Sequence, residues 1–309
     1  MITVLAGGVG AARYLAGQLQ VTPSDEVTAV VNVADDVELH GLHVSPDIDT
    51  VIYTLSGAID TERGWGLSDE TWNALGELRA LGINAWFNLG DRDIGTHLFR
   101  TTLLREGLSL SEVTARLAAA RGLGCRILPA SDQPIETRVT LASGTEIGFQ
   151  EYFVRLAHDV AISGVRFAGV ESARPAPGVR EAIVDADVVV IAPSNPVVSI
   201  GPVLAVDGLA EALAARRDRN VAVSPIVGGA ALKGPADRML RELGEESSVV
   251  GVARRYRDVV GALVIDEVDA DLARAVADAG VRPVVAPTIM SSPEAAAELA
   301  RRTVAAVTP

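Results

Sequence analysis

Residues 2–18, ITVLAGGVGAARYLAGQ, contain the pattern that decides the fold. The run Ile2–Ala6 is short, apolar and partly β-branched, which predicts a buried strand. Three glycines, at positions 7, 8 and 10, follow this strand directly, and residues 11–20 have the pattern of a helix. A strand, a glycine turn and a helix in this order are typical of the first unit of a parallel sheet covered by helices.

The same alternation continues along the chain. Further strands are predicted at residues 27–33, 85–89, 187–192, 221–224, 262–265 and 283–286. Helical patterns lie at residues 69–81, 111–121 and 292–307, and Ser109 and Glu112 have the spacing of a capping box before the second of these, which Gly122 is expected to end. We therefore predict a Rossmann-like α/β fold with a mostly parallel sheet flanked by helices.

Residues 138–153 break this alternation. Two alternating runs flank Ala142-Ser143-Gly144, which predicts an antiparallel hairpin. With the helix before it, this hairpin would form an inserted helix-plus-hairpin lobe at about residues 105–165. Because neither a repeat nor a low-complexity linker is apparent, we predict one α/β domain over residues 1–309.

Composition excludes several classes of protein. The 309 residues are 49% hydrophobic, enough for one large or two modest cores. The net charge of −13 argues against broad nucleic-acid or acidic-membrane surfaces, which need concentrated Lys and Arg. The single cysteine, Cys125, forms neither an intramolecular disulfide nor a thiolate cluster, and we expect it to be a buried thiol. Without a signal-like start or a long apolar run, we expect a cytoplasmic protein with no membrane contact.

The glycine turn is a candidate phosphate site. Gly7, Gly8 and Gly10 would let the backbone approach a phosphate at the helix start, and Arg13 would add a charged fork one turn later. The turn lacks the Gly-Lys-Ser or Gly-Lys-Thr ending of a Walker A loop. The alternative is that the glycines serve only the packing of the helix on the strand.

Acidic residues cluster after the second predicted strand. Asp35 and Asp36 stand at its end, and Asp47 and Asp49 follow in a segment that Pro46 is expected to keep extended before the next helix. Converging carboxylates repel one another unless a cation lies between them, and Mg²⁺ prefers such oxygen ligands. We predict that at least one of them binds Mg²⁺. The alternative is that they are helix caps or solvated loop charges.

Three other strand ends carry polar residues suited to a nucleotide. Asp91 and Arg92 lie in the first, Ser194 and Asn195 in the second, and Ser224 in the third. Such residues can hold a base, a ribose or a phosphate. The same residue types also serve ordinary turns and salt-bridged loops, and that alternative stays open.

Taken together, these motifs resemble a known family, the 2-phospho-L-lactate transferases of coenzyme F420 biosynthesis (CofD) and their actinobacterial relatives (FbiA). The resemblance covers nearly the whole chain. It rests on residues 5–10, 32–36, 40–42, 46–50, 64–66, 90–93 with 96–97, 129–132, 192–196 and 224–226.

The resemblance implies a reaction. The ribityl hydroxyl of the deazaflavin Fo would attack the phosphorus that carries a three-carbon acid, and GMP would leave. In the actinobacterial branch the donor is similar to enolpyruvyl-diphospho-5'-guanosine and the product to dehydro-F420-0, whereas the archaeal branch uses a lactyl donor. Residues 63–66 and 70–72 look more like the actinobacterial branch. The loops at 192–196 and 224–226 would hold the guanosine diphosphate half.

The resemblance also implies roles for the acidic residues. Asp35 and Asp49 would hold Mg²⁺, with Asp36 and Asp47 as neighbours that accept hydrogen bonds or substitute. Asp49 and Arg92 would lie near the Fo hydroxyl, and Asp49 is the candidate base where the metal does not occupy it. A cation, an arginine and the loop amides are sufficient for a phosphoryl transfer, which depends on positioning and charge neutralisation.

Two other functions compete with this one. A related family of gluconeogenesis factors shares the glycine loop and binds nucleotide sugars as a regulator without transfer. A nicotinamide-dependent oxidoreductase would need an acidic ribose contact on the second strand, which is absent. We also expect a homodimer, because apolar helix faces would be exposed on such a sheet.

Overall fold

The computed structural model describes residues 1–308. In this range the strands are β1 (Ile2–Ala6), β2 (Val27–Val31), β3 (Val37–Leu39), β4 (Leu42–Val44), β5 (Arg126–Pro129), β6 (Glu136–Leu141), β7 (Glu146–Gly148), β8 (Ile162–Ala168), β9 (Val188–Ile191), β10 (Asn220–Val223), β11 (Ile226–Val227), β12 (Ala230–Ala231), β13 (Ala262–Ile265) and β14 (Arg282–Val285). The α-helices are α1 (Gly8–Gln18), α2 (Pro46–Leu55), α3 (Asn73–Ala80), α4 (Asp91–Arg105), α5 (Leu110–Ala120), α6 (Val179–Asp185), α7 (Ile200–Ala205), α8 (Leu209–Ala214), α9 (Ala236–Glu242), α10 (Val249–Tyr256), α11 (Ala273–Asp278) and α12 (Pro293–Ala305).

A seven-stranded parallel sheet forms the centre, in the order β14-β13-β10-β9-β1-β2-β5. Every residue of β1, β2, β9, β10 and β13 is buried, as expected for strands covered by helices on both faces. The chain first builds outward from β1 through β2 to β5, and then returns to build from β9 to β14. The predicted Rossmann-like α/β fold is confirmed, and its topological switch point lies between β1 and β9.

One predicted strand is wrong, and one strand of the central sheet was missed. Residues 85–89 form a loop rather than a strand. Leu89 is nevertheless buried, because it packs with Leu39 and Val44 in a small cluster away from the main core. The missed strand is β5, which pairs with β2 at the edge of the central sheet.

The predicted lobe at 105–165 has the expected parts in a different arrangement. Helix α5 has the capping box of Ser109 and Glu112, and β6 and β7 form the predicted hairpin. However, α5 packs on β5 and so covers the central sheet. The hairpin is completed by β8, which pairs antiparallel with β6 and ends at Ala168, beyond the predicted boundary.

Helix α2 corrects the expectation that Pro46 keeps its segment extended. Pro46 is the first residue of this helix, a position where its missing N–H and fixed φ are tolerated. Asp47 and Asp49 therefore lie in the first helical turn, where the helix dipole favours carboxylates. The register of the helix then decides in which direction each acid points.

None of the helices in residues 1–308 is both long and apolar enough to cross a lipid bilayer.

Close packing of α1 against α12 gives a test of the fold. A Cβ on Gly17 would lie 2.4 Å from the backbone carbonyl of Ala296. We expect Gly17→Ala to destabilise the protein by about 1–3 kcal/mol, because the two backbones must move apart. Gly76 in α3 is the matched control, since a Cβ there meets nothing within 4 Å. Gly76→Ala should be neutral or stabilising by up to about 1 kcal/mol in urea unfolding. Equal effects at the two positions would contradict this account of the packing.

Candidate active site

The candidate site lies at the switch point, where the loops after β1 and β9 meet. A Cβ on Gly10 would lie 2.2 Å from the carbonyl oxygen of Pro193, and one on Gly7 would lie 2.6 Å from Cβ of Ser199. Both glycines are therefore required for the contact between the two loops. Gly8 has a φ of +72°, a backbone conformation that residues with a side chain rarely adopt. The packing explanation for this motif is thus supported directly by the structure.

Asp47 lies against this glycine turn. Its Oδ2 accepts a hydrogen bond from Asn32 Nδ2 at 2.9 Å, and it would be 3.0 Å from a Cβ on Gly7. Burial raises the pKa of Asp47 to about 6, although the Asn32 hydrogen bond opposes the shift. A carboxylate therefore occupies the approach to α1 at which the sequence predicted a phosphate.

Asp35 is the second buried acid of this region. Its residue is 5% exposed, and its Oδ1 is buried without a hydrogen-bond partner. Burial raises the pKa of Asp35 well above its ordinary range, and the negative charge of Asp47 raises it further. Asp35 and Asp47 thus form a pair of acids that repel each other in the absence of a cation.

Asp36 is held by the β3–β4 hairpin and the residue that follows it. Its Oδ2 lies 2.9 Å from His43 Nε2 and accepts a hydrogen bond from Ser45 Oγ at 2.8 Å. Its Oδ1 is buried and has no partner. Burial raises the pKa of Asp36, and the contacts with His43 and Ser45 oppose that shift.

Asp49 differs from these acids because it has a cationic partner. Its Oδ1 accepts a short hydrogen bond from Arg100 Nη2, and its Oδ2 lies 3.7 Å from His97 Nδ1. That Oδ2 is buried and has no hydrogen-bond partner. Arg100 therefore binds one oxygen of Asp49 and leaves the other unbonded.

Three buried carboxylate oxygens in this region consequently lack hydrogen bonds, one each on Asp35, Asp36 and Asp49. Buried polar atoms are almost always satisfied, so such exceptions indicate a place for an ion, water or substrate. Their chemistry suits Mg²⁺, which often uses only one or two carboxylates of the protein.

A different trio has the tightest geometry for a metal. Among residues 1–308, Asp49, Asp93 and His97 are the set of at least three potential ligands whose atoms lie within 4.8 Å of one another. Arg100 Nη1 lies 3.2 Å from His97 Nδ1 and Nη2 binds Asp49, so a positive charge already lies against this trio. A cation at its centre would be repelled, and the trio fits a metal less well than Asp35 does.

Helix α4 supplies the residues that the sequence analysis did not assign. Asp93, His97 and Arg100 follow one another at helical spacing on its buried face. Tyr53 donates a hydrogen bond to Asp93 Oδ1 at 2.6 Å, and His97 Nε2 lies 3.3 Å from the same oxygen. The signal was present as a charged helical face, but it was hidden because residues 85–89 were predicted as a strand leading into a loop.

Arg92 lies on the exposed side of α4, whereas Asp93, His97 and Arg100 are buried. Its side chain is 47% exposed and lies 3.9 Å from Asp69, and its Nη1 donates to the carbonyl of Ser68. In residues 1–308 it has no ion pair with Asp35 or Asp49. The role of Arg92 beside Asp49 therefore remains a prediction, and the structure shows no hydrogen bond or ion pair between the two side chains in residues 1–308.

Asp91 caps helix α3. Its carboxylate accepts hydrogen bonds from Thr71 Oγ1, from the amides of Asn73 and Ala74, and from Asn73 Nδ2. The Thr71 hydroxyl, followed by the backbone amides, lowers the pKa of Asp91 to about 2. Its acceptor capacity is therefore used within the protein, although the sequence analysis predicted a ligand contact.

Some of the remaining predicted binding residues already use their side chains in hydrogen bonds within the protein, and others do not. Asn195 Oδ1 accepts the backbone amides two and three residues later, and Ser224 Oγ bonds to the backbone of Ile226, so both side chains shape turns. Ser194 Oγ is buried without a partner, as a ligand contact would require. Arg13 is exposed on α1.

A cavity of about 230 Å³ opens beside these acids. It lies between the β3–β4 hairpin and the β6–β7 hairpin. Its lining residues are Ala34, Asp35, Asp36, Val37, Glu38, Leu39, Trp86, Glu136, Thr137, Arg138, Gly148, Phe149, Gln150 and Glu151. Five of the six charged lining residues are therefore acidic and one is an arginine, and two aromatic side chains also line the cavity.

The fold and site together define a Rossmann-like α/β protein with an acidic site at the switch point of its sheet. The chain belongs to the CofD family: the model described as 2-phospho-L-lactate transferase CofD matches residues 2–300.

Curated relatives support the same assignment. A protein of Kitasatospora aureofaciens named phosphoenolpyruvate transferase is 46% identical over 98% of this chain and 97% of its own. Proteins of the same name from Streptomyces griseus and Mycolicibacterium smegmatis are 46% and 43% identical, each over 97% of this chain and 96% of their own.

Solved structures support the fold. Two crystal structures of a Bacillus halodurans protein of the UPF0052 family have a TM-score of 0.64 to this chain at 20% identity. They cover 98% of this chain and 98% and 99% of theirs.

The capping role of Asp91 predicts a pH-dependent local effect. Its pKa of about 2 lies below the value near 3.9 of an unfolded aspartate, so its stabilisation is complete above about pH 4 and is lost as the pH falls towards 2. Asp91→Asn should speed amide hydrogen exchange in residues 73–80 at neutral pH. Asp258→Asn, at a side chain that is 83% exposed, should leave that exchange unchanged. Unchanged exchange in the Asp91 variant would contradict the capping role.

Proposed function

We propose that the protein transfers the phosphoenolpyruvyl group of enolpyruvyl-diphospho-5'-guanosine to the ribityl hydroxyl of Fo, giving dehydro-F420-0 and GMP. Membership of the CofD family and the name of the relatives support a transferase of this kind. A 2-phospholactyl donor, giving F420-0, is the alternative within the same family. The observation that carries the proposal is the set of unbonded carboxylate oxygens on Asp35, Asp36 and Asp49.

Mg²⁺ is part of this proposal. Asp35 would be its principal ligand, because Asp35 has an unbonded buried oxygen and no cationic partner. The free Oδ2 of Asp49 is the second predicted ligand, although the Arg100 charge that opposes a metal at the centre of the Asp49, Asp93 and His97 trio also acts on it. Asp47 is the acid whose charge acts most strongly on Asp35. When bound, the ion would supply positive charge to the phosphate oxygens of the donor.

The donor would enter at the glycine turn. Its diphosphate is anionic, and Asp47 lies directly against Gly7. The two negative groups can come together only if positive charge compensates them, which a cation at Asp35 would provide. Ser194, on the loop after β9, has a buried hydroxyl without a partner. This hydroxyl could donate a hydrogen bond to the donor substrate.

The acceptor would enter from the acidic cavity. Trp86 and Phe149 line the cavity with aromatic surface against which a flat ring would pack, while Glu38 and Glu136 can accept hydrogen bonds from hydroxyl groups. The same acids repel a diphosphate, so the cavity discriminates against the donor. The two substrates would then meet at Asp35 and Asp36, which line the cavity.

The chemical step is a displacement at phosphorus. A bond forms between the ribityl oxygen and the phosphorus that carries the enolpyruvyl group, and the bond from that phosphorus to the GMP oxygen breaks. GMP leaves with the electron pair, and a carboxylate takes the hydroxyl proton. Asp49 remains the predicted base where the metal does not occupy its Oδ2, because Arg100 fixes the other oxygen.

The cytoplasmic location and the homodimer expected from the sequence remain predictions.

Product analysis tests the reaction. Purified protein, Fo and Mg²⁺ are incubated with either the enolpyruvyl or the lactyl donor, and products are identified by mass spectrometry. We expect dehydro-F420-0 and GMP in equal amounts from the enolpyruvyl donor. F420-0 formed faster from the lactyl donor would reverse the choice of donor. Binding of nucleotide without any transfer would favour a regulatory protein.

Asp→Asn substitutions test whether these acids bind Mg²⁺. We expect Asp35→Asn to weaken Mg²⁺ binding in calorimetry at least about 10-fold and to lower kcat at least about 100-fold, because ion and phosphate charge are no longer balanced. Asp49→Asn should abolish transfer with the fold retained. Asp258→Asn, at an exposed acid, is the control for the loss of one charge. Normal Mg²⁺ affinity in both site variants would refute these ligands.

A further inference from the structure

Arg100 is the most completely buried charged side chain of the site. Its relative exposure is 0%, and it lies in the middle of α4. A guanidinium ion removed from water is stable only when its partners compensate the lost hydration. Burial alone would lower the pKa of Arg100, but the negative charge of Asp49 raises it above its ordinary value. Arg100 is therefore a permanent buried cation.

The partners of Arg100 belong to different elements. Nη2 binds Asp49 in α2, and Nη1 lies 3.3 Å from the backbone carbonyl of His43 in β4, to which it donates. The ring of His43 in turn contacts Oδ2 of Asp36 at 2.9 Å. One guanidinium thus links α4 to both structures that present acids to the site.

This arrangement determines which carboxylate oxygen of Asp49 and of Asp36 is left without a hydrogen bond. Arg100 takes Oδ1 of Asp49 and leaves Oδ2 unbonded, while His43 and Ser45 take Oδ2 of Asp36 and leave Oδ1 unbonded. A bidentate contact with Asp49 would have used both oxygens and closed the position to a ligand. The contact between Arg100 and Asp49 therefore does more than stabilise the fold, because it orients the free Oδ2 of Asp49.

We propose that Arg100 is a positioning residue of the transferase, which fixes the carboxylate of Asp49 and, through His43, that of Asp36. The inference rests on the proposed function, in which both acids face the reacting groups. Arg100 would act through these carboxylates rather than by contact with the substrates, because its Nη1 and Nη2 already bind the His43 carbonyl and Asp49. The planar fork is essential, because a lysine ammonium is a point charge that cannot reach both Asp49 and the His43 carbonyl in the same geometry.

Kinetics of Arg100→Lys provide the first test. The charge is kept, so the fold should be retained, but a displacement of Asp49 by about 1 Å costs roughly 100-fold in rate. We expect kcat to fall about 100-fold while KM for the donor changes less than about 3-fold. Arg105→Gln is the matched control, because Arg105 lies on the same helix, is exposed and donates to the carbonyl of Gly41 in the same hairpin. This control should keep kcat within about 2-fold.

Crystal structures separate the two proposals. If the native protein does not catalyse transfer, the proposed function fails, but the positions of Asp49 and His43 in Arg100→Lys crystals still report whether Arg100 holds them. We expect the Asp49 carboxylate to rotate and the β3–β4 hairpin to shift in this variant only. Unmoved acids together with native kcat would overturn the inference.

A second variant covers the case in which Arg100→Lys does not fold. Arg100→Gln combined with Asp49→Asn removes both charges of the pair, so no unpaired buried ion remains. We expect the double variant to fold and its β3–β4 hairpin to shift from His43 onwards. A hairpin in the native position would overturn the inference.

Discussion

The structure depends on how it accommodates carboxylates that are buried at the carboxyl edge of an all-parallel sheet. Removing an ionised group from water is costly unless a partner compensates it. Among the acids of this region in residues 1–308, only Asp49 receives a hydrogen bond from a fully buried guanidinium, that of Arg100. Burial raises the pKa of both Asp35 and Asp47, and the negative charge of Asp47 raises the pKa of Asp35 further. The protein thus tolerates an electrostatic conflict at one edge of a sheet whose five inner strands are fully buried. Conflicts of this kind are expected at functional sites, where a ligand supplies what the fold lacks.

Most of the sheet could be predicted because its strands are buried on both faces and so appear as short apolar runs. The two errors have a common cause, since local hydrophobicity does not report which core a residue joins. Residues 85–89 are apolar because Leu89 fills a separate small cluster. The edge strand β5 was missed because it begins with an exposed arginine and ends with a proline, which central strands rarely contain. The extended segment expected at Pro46 failed for a similar reason, since proline is also favoured at the first helical position.

The site was predictable only in part. The acids at positions 35 and 49 could be proposed from the sequence because they come after the second strand, at the edge where such sheets bind ligands, and they remain predicted ligands. Their partners were not found, because Arg100 reaches Asp49 from a helix that tertiary packing places beside it. Asp91, Asn195 and Ser224 show the opposite failure, since turn-forming and ligand-binding residues are of the same types. A sequence pattern identifies a polar loop end but does not report whether the backbone has already used its hydrogen bonds.

The glycine turn illustrates how one motif can serve packing and binding together. Gly7 and Gly10 let the loops after β1 and β9 approach within distances that no side chain permits. That approach also brings Asp47 against the start of α1, where helix amides would otherwise attract an anion directly. Because a carboxylate is already present, a phosphate at this position needs a cation between the two negative groups. In the proposed reaction, the packing of the glycines would therefore make the binding of the anionic donor conditional on a metal. Asp35, on which the charge of Asp47 acts, is the acid predicted to hold that metal.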